Sequence, residues 1–308
     1  MTYFFNRLLW TLPILLGVAS LVFLLLHLVP GDPVDLMLGE QALAADRAQL
    51  RAQLGLDRPL GEQYAGFLRR TLSGDLGLSL PSREPVAGRI GERYGATVEL
   101  MLGAMAVALA VSFPLGLLAA VHHGRWPDQA ASAFAVLGVA VPSFWLGPML
   151  ILVFAIWLDW LPVDGREGPA SLVLPALTLG LALAALLSRM LRAALVGVLG
   201  EDYVRTARAK GLPEGAVLWR HALRNALIPV VTLIGLQVGV LLSGAIITES
   251  IFDWPGLGGL LLDGIRRRDY PLVQGCVLVI ALTYVAVNLA TDLAYGWIDP
   301  RIRHRESG

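Results

Sequence analysis

The chain holds one cysteine, Cys276, and one lysine, Lys210, in 308 residues. A single thiol excludes an intramolecular disulfide and a cysteine-based zinc site. The lone lysine sits between Ala209 and Gly211. A phosphate-binding P-loop needs its lysine between Gly and Ser/Thr, where it reaches the phosphates. This chain therefore does not hydrolyse ATP by that route. It also lacks a His-Glu-x-x-His pair and a Gly-x-Ser-x-Gly elbow. His122 and His123 are adjacent and point apart on a helix, so they form a solvated pair and no metal site is assigned. Charge is scarce: 16% of residues, against a usual ~25%. The 24 basic and 24 acidic side chains cancel, which disfavours a nucleic-acid binder built on positive charge.

What is abundant is apolar. Hydrophobic residues make up 56% of the chain and the mean hydropathy is +0.66. These values exclude intrinsic disorder. Six apolar runs recur: Leu8–Val29, Thr97–Val121, Ala130–Leu158, Leu172–Leu187 (extendable through Ser188 to Val198), Ala226–Ile247 and Leu272–Leu293. About 20 such residues cross a bilayer core as a helix. The pattern predicts an all-α integral membrane protein with six transmembrane helices. The first run is too long for a cleaved signal peptide and no Ala-x-Ala site follows it. Pro30-Gly31-Asp32-Pro33 follows instead and reads as a turn.

Six crossings place both termini on one side. With that side cytoplasmic, the short inner segments carry 12 basic residues and the short outer loops 4, namely Arg166, Arg266, Arg267 and Arg268. Another 8 lie in residues 31–96, a segment too long for the positive-inside rule. The bias favours termini inside, with Arg266–Arg268 as the main opposing feature. Residues 31–96 carry two amphipathic patterns. Leu43, Leu50 and Leu54 share a helical face and stop at Gly55; Leu60, Tyr64, Phe67, Leu68 and Leu72 form a second stripe between Pro59 and Gly74. These stripes must dock on the bilayer surface or on the spans.

Within the spans, Glu99, Glu249 and Asp292 fall near helix ends, as interfacial carboxylates that reach water; a proton relay draws no support from them. Pro114 is expected to interrupt the second span, and Pro142-Ser143 and Gly147-Pro148 the third. Gly235, Gly239 and Ser243 form a small-residue ladder that permits close helix approach, for intrachain packing or for a seam or gate. Gln237 either lines a polar pathway or hydrogen-bonds a neighbouring helix.

The loop at 201–225 is the most informative. Glu201 to Lys210 is helix-compatible and ends at Gly211; Pro213 opens a second short helix. Its basic face, with apolar positions at Tyr203, Val204, Ala207, Val217 and Leu218, suits a membrane surface on composition alone. Here the chain also resembles the inner-membrane permeases of bacterial ABC importers, in their dipeptide/oligopeptide/nickel branch (dipeptide permease B-like). Arg205 to Gly211 occupies the Glu-Ala-Ala-x-x-x-Gly position of that superfamily, with Arg205-Thr206-Ala207 in place of Glu-Ala-Ala. The peptide-permease version is similar to the runs at 203–212 and 221–226. Pro30–Pro33, Leu54–Leu60, Gly74–Gly77, Phe252–Gly258, Asp269–Pro271 and Asp299–Arg303 extend the resemblance over nearly the whole chain.

The resemblance implies a type I ABC importer permease fold with a small helical extracytoplasmic segment. It orders the chain as 1–30 (N-terminus and first span), 31–96 (extracytoplasmic segment), 97–298 (five-helix core) and 299–308 (cytoplasmic tail). The protein is then a multi-pass subunit of the bacterial inner membrane, and not an enzyme. Its implied partners are a second homologous permease, two ABC ATPases and an extracytoplasmic solute-binding protein, in the lipid bilayer. The chain itself binds no cofactor; ATP and Mg belong to the ATPases. The loop 201–225 becomes the coupling element, with Tyr203, Arg205, Thr206, Ala207, Arg208, Lys210, Gly211, Leu212, His221, Arg224 and Asn225 as its contact and hinge residues. Its apolar tip is expected to bury against an ATPase, with Arg205, Arg208 and Lys210 steering. Arg266, Arg267 and Arg268 are candidates for binding-protein docking. The branch handles dipeptides, longer peptides, nickel complexes and glutathione; peptides are the leading expectation. A channel or ion-coupled carrier without an ATPase is the alternative of another class.

Overall fold

The computed structural model describes residues 2–28, 34, 38 and 43–298. The Pro30–Pro33 turn, the Asp299–Arg303 motif and the tail lie outside the described residues, as do the side chains of Leu54, Ser243 and Asp292. Twelve helices are named here: α1 Thr2–Leu28, α2 Ala44–Leu54, α3 Leu60–Leu72, α4 Val86–Val121, α5 Trp126–Ala140, α6 Ser143–Leu150, α7 Pro169–Leu199, α8 Asp202–Ala209, α9 Glu214–Ala216, α10 Leu223–Ile251, α11 Leu257–Arg266 and α12 Tyr270–Ile298. Leu78 and Pro85 form an isolated antiparallel bridge. The chain divides into two units, Met1–Ala96 with Gly256–Val285, and Thr97–Pro255 with Ala286–Gly308.

In the first unit, α2 ends at Gly55, whose φ of 65° is open to glycine without strain. Pro59 precedes α3, and Ser73 and Gly74 close it. The stripe on α3 docks on a span. Phe67 and Leu68 pack against Ala19 and Val22 of α1 and Leu278 of α12. Tyr64 reaches Ser20 by a 2.6 Å hydroxyl–hydroxyl hydrogen bond, and its ring meets Phe23 edge-on at 5.3 Å. Leu60 and Leu72, at the two ends of the stripe, stay exposed. A second core joins Val86, Ile90, Leu257, Leu260, Leu272 and Cys276. Asp269 anchors its rim: it is buried and accepts hydrogen bonds from Ser79 Oγ (2.6 Å) and the Leu80 amide (3.2 Å).

In the second unit α7 is the central helix, and α5, α6 and α10 pack on it. Leu174, Leu183, Leu187, Leu191 and Leu195 of α7 are all buried. The closest approaches use glycine. A Cβ on Gly180 would lie 2.6 Å from the Ala104 carbonyl oxygen of α4, and one on Gly138 of α5 2.6 Å from the Ala185 Cβ.

Two of the three expected proline breaks do not occur. α4 runs unbroken through Pro114, and Gly147 and Pro148 lie inside α6. The third break is sharper than a kink: α5 and the run Ser143–Trp157, which continues α6 as a π-helical turn, meet at 103°. Val141 is both β-branched and followed by proline. Each property pushes it out of the helical region, and its ψ is 115°. Exposed tryptophans flank the bent pair, Trp126 at one end and Trp157 and Trp160 at the other, as side chains at membrane–water interfaces do.

Among the described residues, four helices are able by length and composition to cross a membrane, or five with the bent pair. Residues 8–28 of the first run lie in α1, a helix of 27 residues, of which Thr11–Leu24 is the apolar part with described side chains. The structure thus supports an all-helical membrane protein and leaves the count of six unestablished.

Candidate functional site

The segment 201–222 begins directly after α7. α8 carries Asp202 in its first turn and Arg208 in its last, which matches the helix dipole. Gly211 has φ 78°, in the left-handed region. Pro213 precedes α9, as the sequence indicates. The second short helix is not separate, however. α9 passes through a π-helical turn, Val217–Ala222, straight into α10. After the Gly211 turn and Pro213 the chain therefore runs into a long apolar helix with no further break.

The apolar positions divide into two sets. Val204, Ala207 and Val217 are buried and pack with Val198 and Leu199 at the end of α7. They hold the hairpin together and are not available to a partner. The exposed apolar side chains are Tyr203 at 42%, Leu212 at 39% and Trp219 at 62%. Trp219 was missed by the sequence reading, which took the tip to be the amphipathic stripe. The basic residues divide as well. Arg205 pairs with Asp202 at 3.3 Å. Arg208 pairs with Glu214 at 2.8 Å, and this carboxylate holds the guanidinium pKa above its ordinary value. Lys210 and Arg224 are exposed with no ion pair among the described residues, as is Arg220. Thr206 Oγ1 donates to the Asp202 carbonyl at 2.9 Å. Asn225 Nδ2 donates to Tyr203 Oη at 2.7 Å and ties α8 to α10; His221 is half-buried.

A cavity of about 260 Å³ lies between α7 and α10, at the break between α5 and α6. Ser143, Thr178 and Gln237 are its polar lining, and Val139, Leu183 and Val240 are part of its apolar wall. Gln237 thus lines a cavity and has no neighbouring-helix hydrogen bond among the described residues. Gly235, two residues earlier, packs within the chain, where an added Cβ would meet Thr291 of α12.

Of the two described span-end carboxylates, one departs from expectation. Glu249 is 1% exposed and accepts a 2.7 Å hydrogen bond from Thr97 Oγ1, so it does not reach water. Glu99 is half-exposed and held by Arg166 at 2.6 and 2.8 Å. A buried Asp128 was missed by the sequence reading. It takes a forked pair of hydrogen bonds from Arg192, one of them 2.7 Å long, and another from the Gly124 amide at 2.9 Å. His123 Nδ1 lies 3.2 Å from the same carboxylate, while His122 turns back to the Leu118 carbonyl. Among the described residues no three potential metal ligands cluster. In the first unit Arg266, Arg267 and Arg268 are all exposed; Arg267 is tied to Asp263 at 2.7 Å.

Residues 112–304 match the family described as the inner membrane component of binding-protein-dependent transport systems, and residues 1–101 match its N-terminal part. The chain belongs to this family. It is 46% identical, over 99% of its length and 100% of theirs, to the glutathione transport system permease protein GsiC of Escherichia coli K12 and of Salmonella typhi. The methionine ABC transporter MetNI, in an inward-facing state, aligns with a TM-score of 0.55 at 17% identity, over 68% of this chain and 96% of that one. That likeness shows the fold, a type I importer permease. This permease is therefore an ABC importer subunit of the peptide/nickel/glutathione branch, in the inner membrane, with its ATPase in a separate subunit. Several of its motifs now have structural reasons. Phe252 and Trp254 are buried, Gly77 holds φ 83°, and Asp269 is the anchor described above.

Proposed function

We propose that this permease forms half of the pathway of an importer for short peptides, glutathione included. It couples to one of two ATPases, which bind ATP and Mg, through the segment 201–225. A second homologous permease completes the pathway, a solute-binding protein loads it from outside, and both termini face the cytoplasm. The supporting observation for coupling is the exposed hairpin at Gly211. Tyr203, Leu212 and Trp219 offer an apolar contact there, Lys210, Arg220 and Arg224 surround it with unpaired positive charge, and its second arm runs unbroken into α10. ATPase closure that moves the hairpin then moves α10 and the cavity it lines. For the substrate, the support is full-length similarity to a glutathione permease.

Gly211 tests the coupling. A Cβ there would meet nothing within 4 Å, so the cost of substitution is backbone strain alone, about 1–3 kcal/mol. In a cell deleted for this chain, uptake of labelled glutathione and of a labelled dipeptide is expected to fall. The intact chain restores it and Gly211→Asn, which tolerates φ above zero, largely does; Gly211→Val, at equal expression, does not. Normal uptake with Gly211→Val would refute the coupling assignment. Loss of nickel uptake alone would keep the architecture and change the substrate.

A further inference from the structure

We infer that the cavity at the α5–α6 break is a transit site that reads the amide group of the solute and ignores its charge. The inference rests on the peptide-importer reading above and adds the chemistry by which this chain handles its substrate. Among the described residues the polar groups on the cavity wall are Ser143, Thr178 and Gln237, and no charged side chain lines it. Thr178 Oγ1 already donates to the Leu174 carbonyl at 2.8 Å, so it offers acceptor capacity only. The Ser143 hydroxyl and the Gln237 carboxamide have no hydrogen-bond partner among the described residues, although both sit against an apolar wall. A carboxamide donates and accepts at once. It pairs with a peptide group in both senses, N–H to carbonyl and carbonyl to N–H, which no single charged side chain does.

The absence of charge on the wall has two consequences. A divalent cation finds no carboxylate, imidazole or thiolate there, the ligands such ions take. A peptide's own termini and side-chain charges find no partner either, so the site does not rank peptides by charge. Weak neutral contacts also suit a site that solute must leave, since conduction requires binding loose enough to release. The cavity opens where Val139 and Val240 are exposed, at 56% and 59%. It is built at the one place where the α5–α6 run is broken, and on the helix continuous with the hinge at Gly211.

The test uses the complete importer, with partner permease, ATPases and binding protein, in proteoliposomes. Uptake of labelled glutathione, glycyl-leucine, glycyl-lysine and glycyl-glutamate is measured below saturation. Gln237→Leu is expected to lower uptake of every transported amide probe about tenfold, the worth of one or two neutral hydrogen bonds, with the ratios among probes unchanged. Gln237→Asn keeps the amide and is expected to recover part of the loss. Ala182→Phe fills the same cavity from α7 and should reproduce the loss without touching Gln237. Wild-type uptake by Gln237→Leu, or a loss confined to one charge class, would overturn the inference and leave the importer reading standing. A wild-type complex that imports none of the amide probes would overturn both. Should Gln237→Leu fail to assemble, Ala182→Phe alone decides the matter by the same criteria.

Discussion

Asp128 and Glu249 show how much a carboxylate's role depends on neighbours distant in sequence. Glu249 lies at a span end, where a helix of any orientation brings it near water. Its burial comes from Thr97, 152 positions away. Asp128 stands in the first turn of α5 and reads as a helix-start residue, yet Arg192 of α7 is its main partner. Breaking a buried pair strands one charge, whereas removing both strands none. Asp128→Ala and Arg192→Ala are each expected to lower the melting temperature of the detergent-purified protein. The double variant should lose clearly less than the sum of the two. Simple additivity, read from a double-mutant cycle of melting curves, would show that the pair contributes nothing.

Helix contacts were half legible. The ladder Gly235–Gly239–Ser243 drew attention to α10, and Gly235 does pack closely on Thr291. A second close contact is on α7, where Ala176, Gly180 and Ala184 form the same i, i+4 pattern and are all buried, and there the neighbour is backbone. Alanine is common in any apolar helix, so this ladder does not stand out in the sequence. Gly180→Val drives a branched side chain into the Ala104 carbonyl and Val107, neither of which is the end of a flexible chain. A loss of about 1–3 kcal/mol is expected, read as a lower melting temperature or a smaller folded yield. Gly197, with nothing within 4 Å, is the control site for the same change. The proline breaks carry a similar lesson. Proline alone does not break a helix here: α4 runs through Pro114 and α10 through Pro229, which follows β-branched Ile228, while the chain turns by 103° at Pro142.

For the assembled importer, the exposed Arg266–Arg268 cluster is the surface at which binding-protein docking is proposed. Reversing all three to glutamate also turns the Arg267–Asp263 pair into a repulsion. Charges at the rim of an interface act mainly on association rate and salt dependence. The variant should need more binding protein for half-maximal uptake, by about tenfold at low ionic strength, with a smaller gap at high salt. The same half-saturating concentration for both proteins would remove the cluster from the docking surface.

The sequence by itself determined the class, the helices and the glycine turn at 211. Apolar runs, capping residues such as Gly55 and Pro59, and the glycine at 211 are local signals, because helix period, dihedral preference and hydropathy are properties of neighbours along the chain. Only the tertiary structure decided which apolar side chains remain for a partner. Val204 and Trp219 are both apolar members of the same hairpin, but Val198 and Leu199 cover the first and the second stays exposed. It also decided where the stripe of α3 docks, that Gln237 faces a cavity, and that Glu249 is sealed from water. Each of these is a question of which helix lies against which. Hydropathy gives the same answer for every side of a helix until a neighbour occupies one of them.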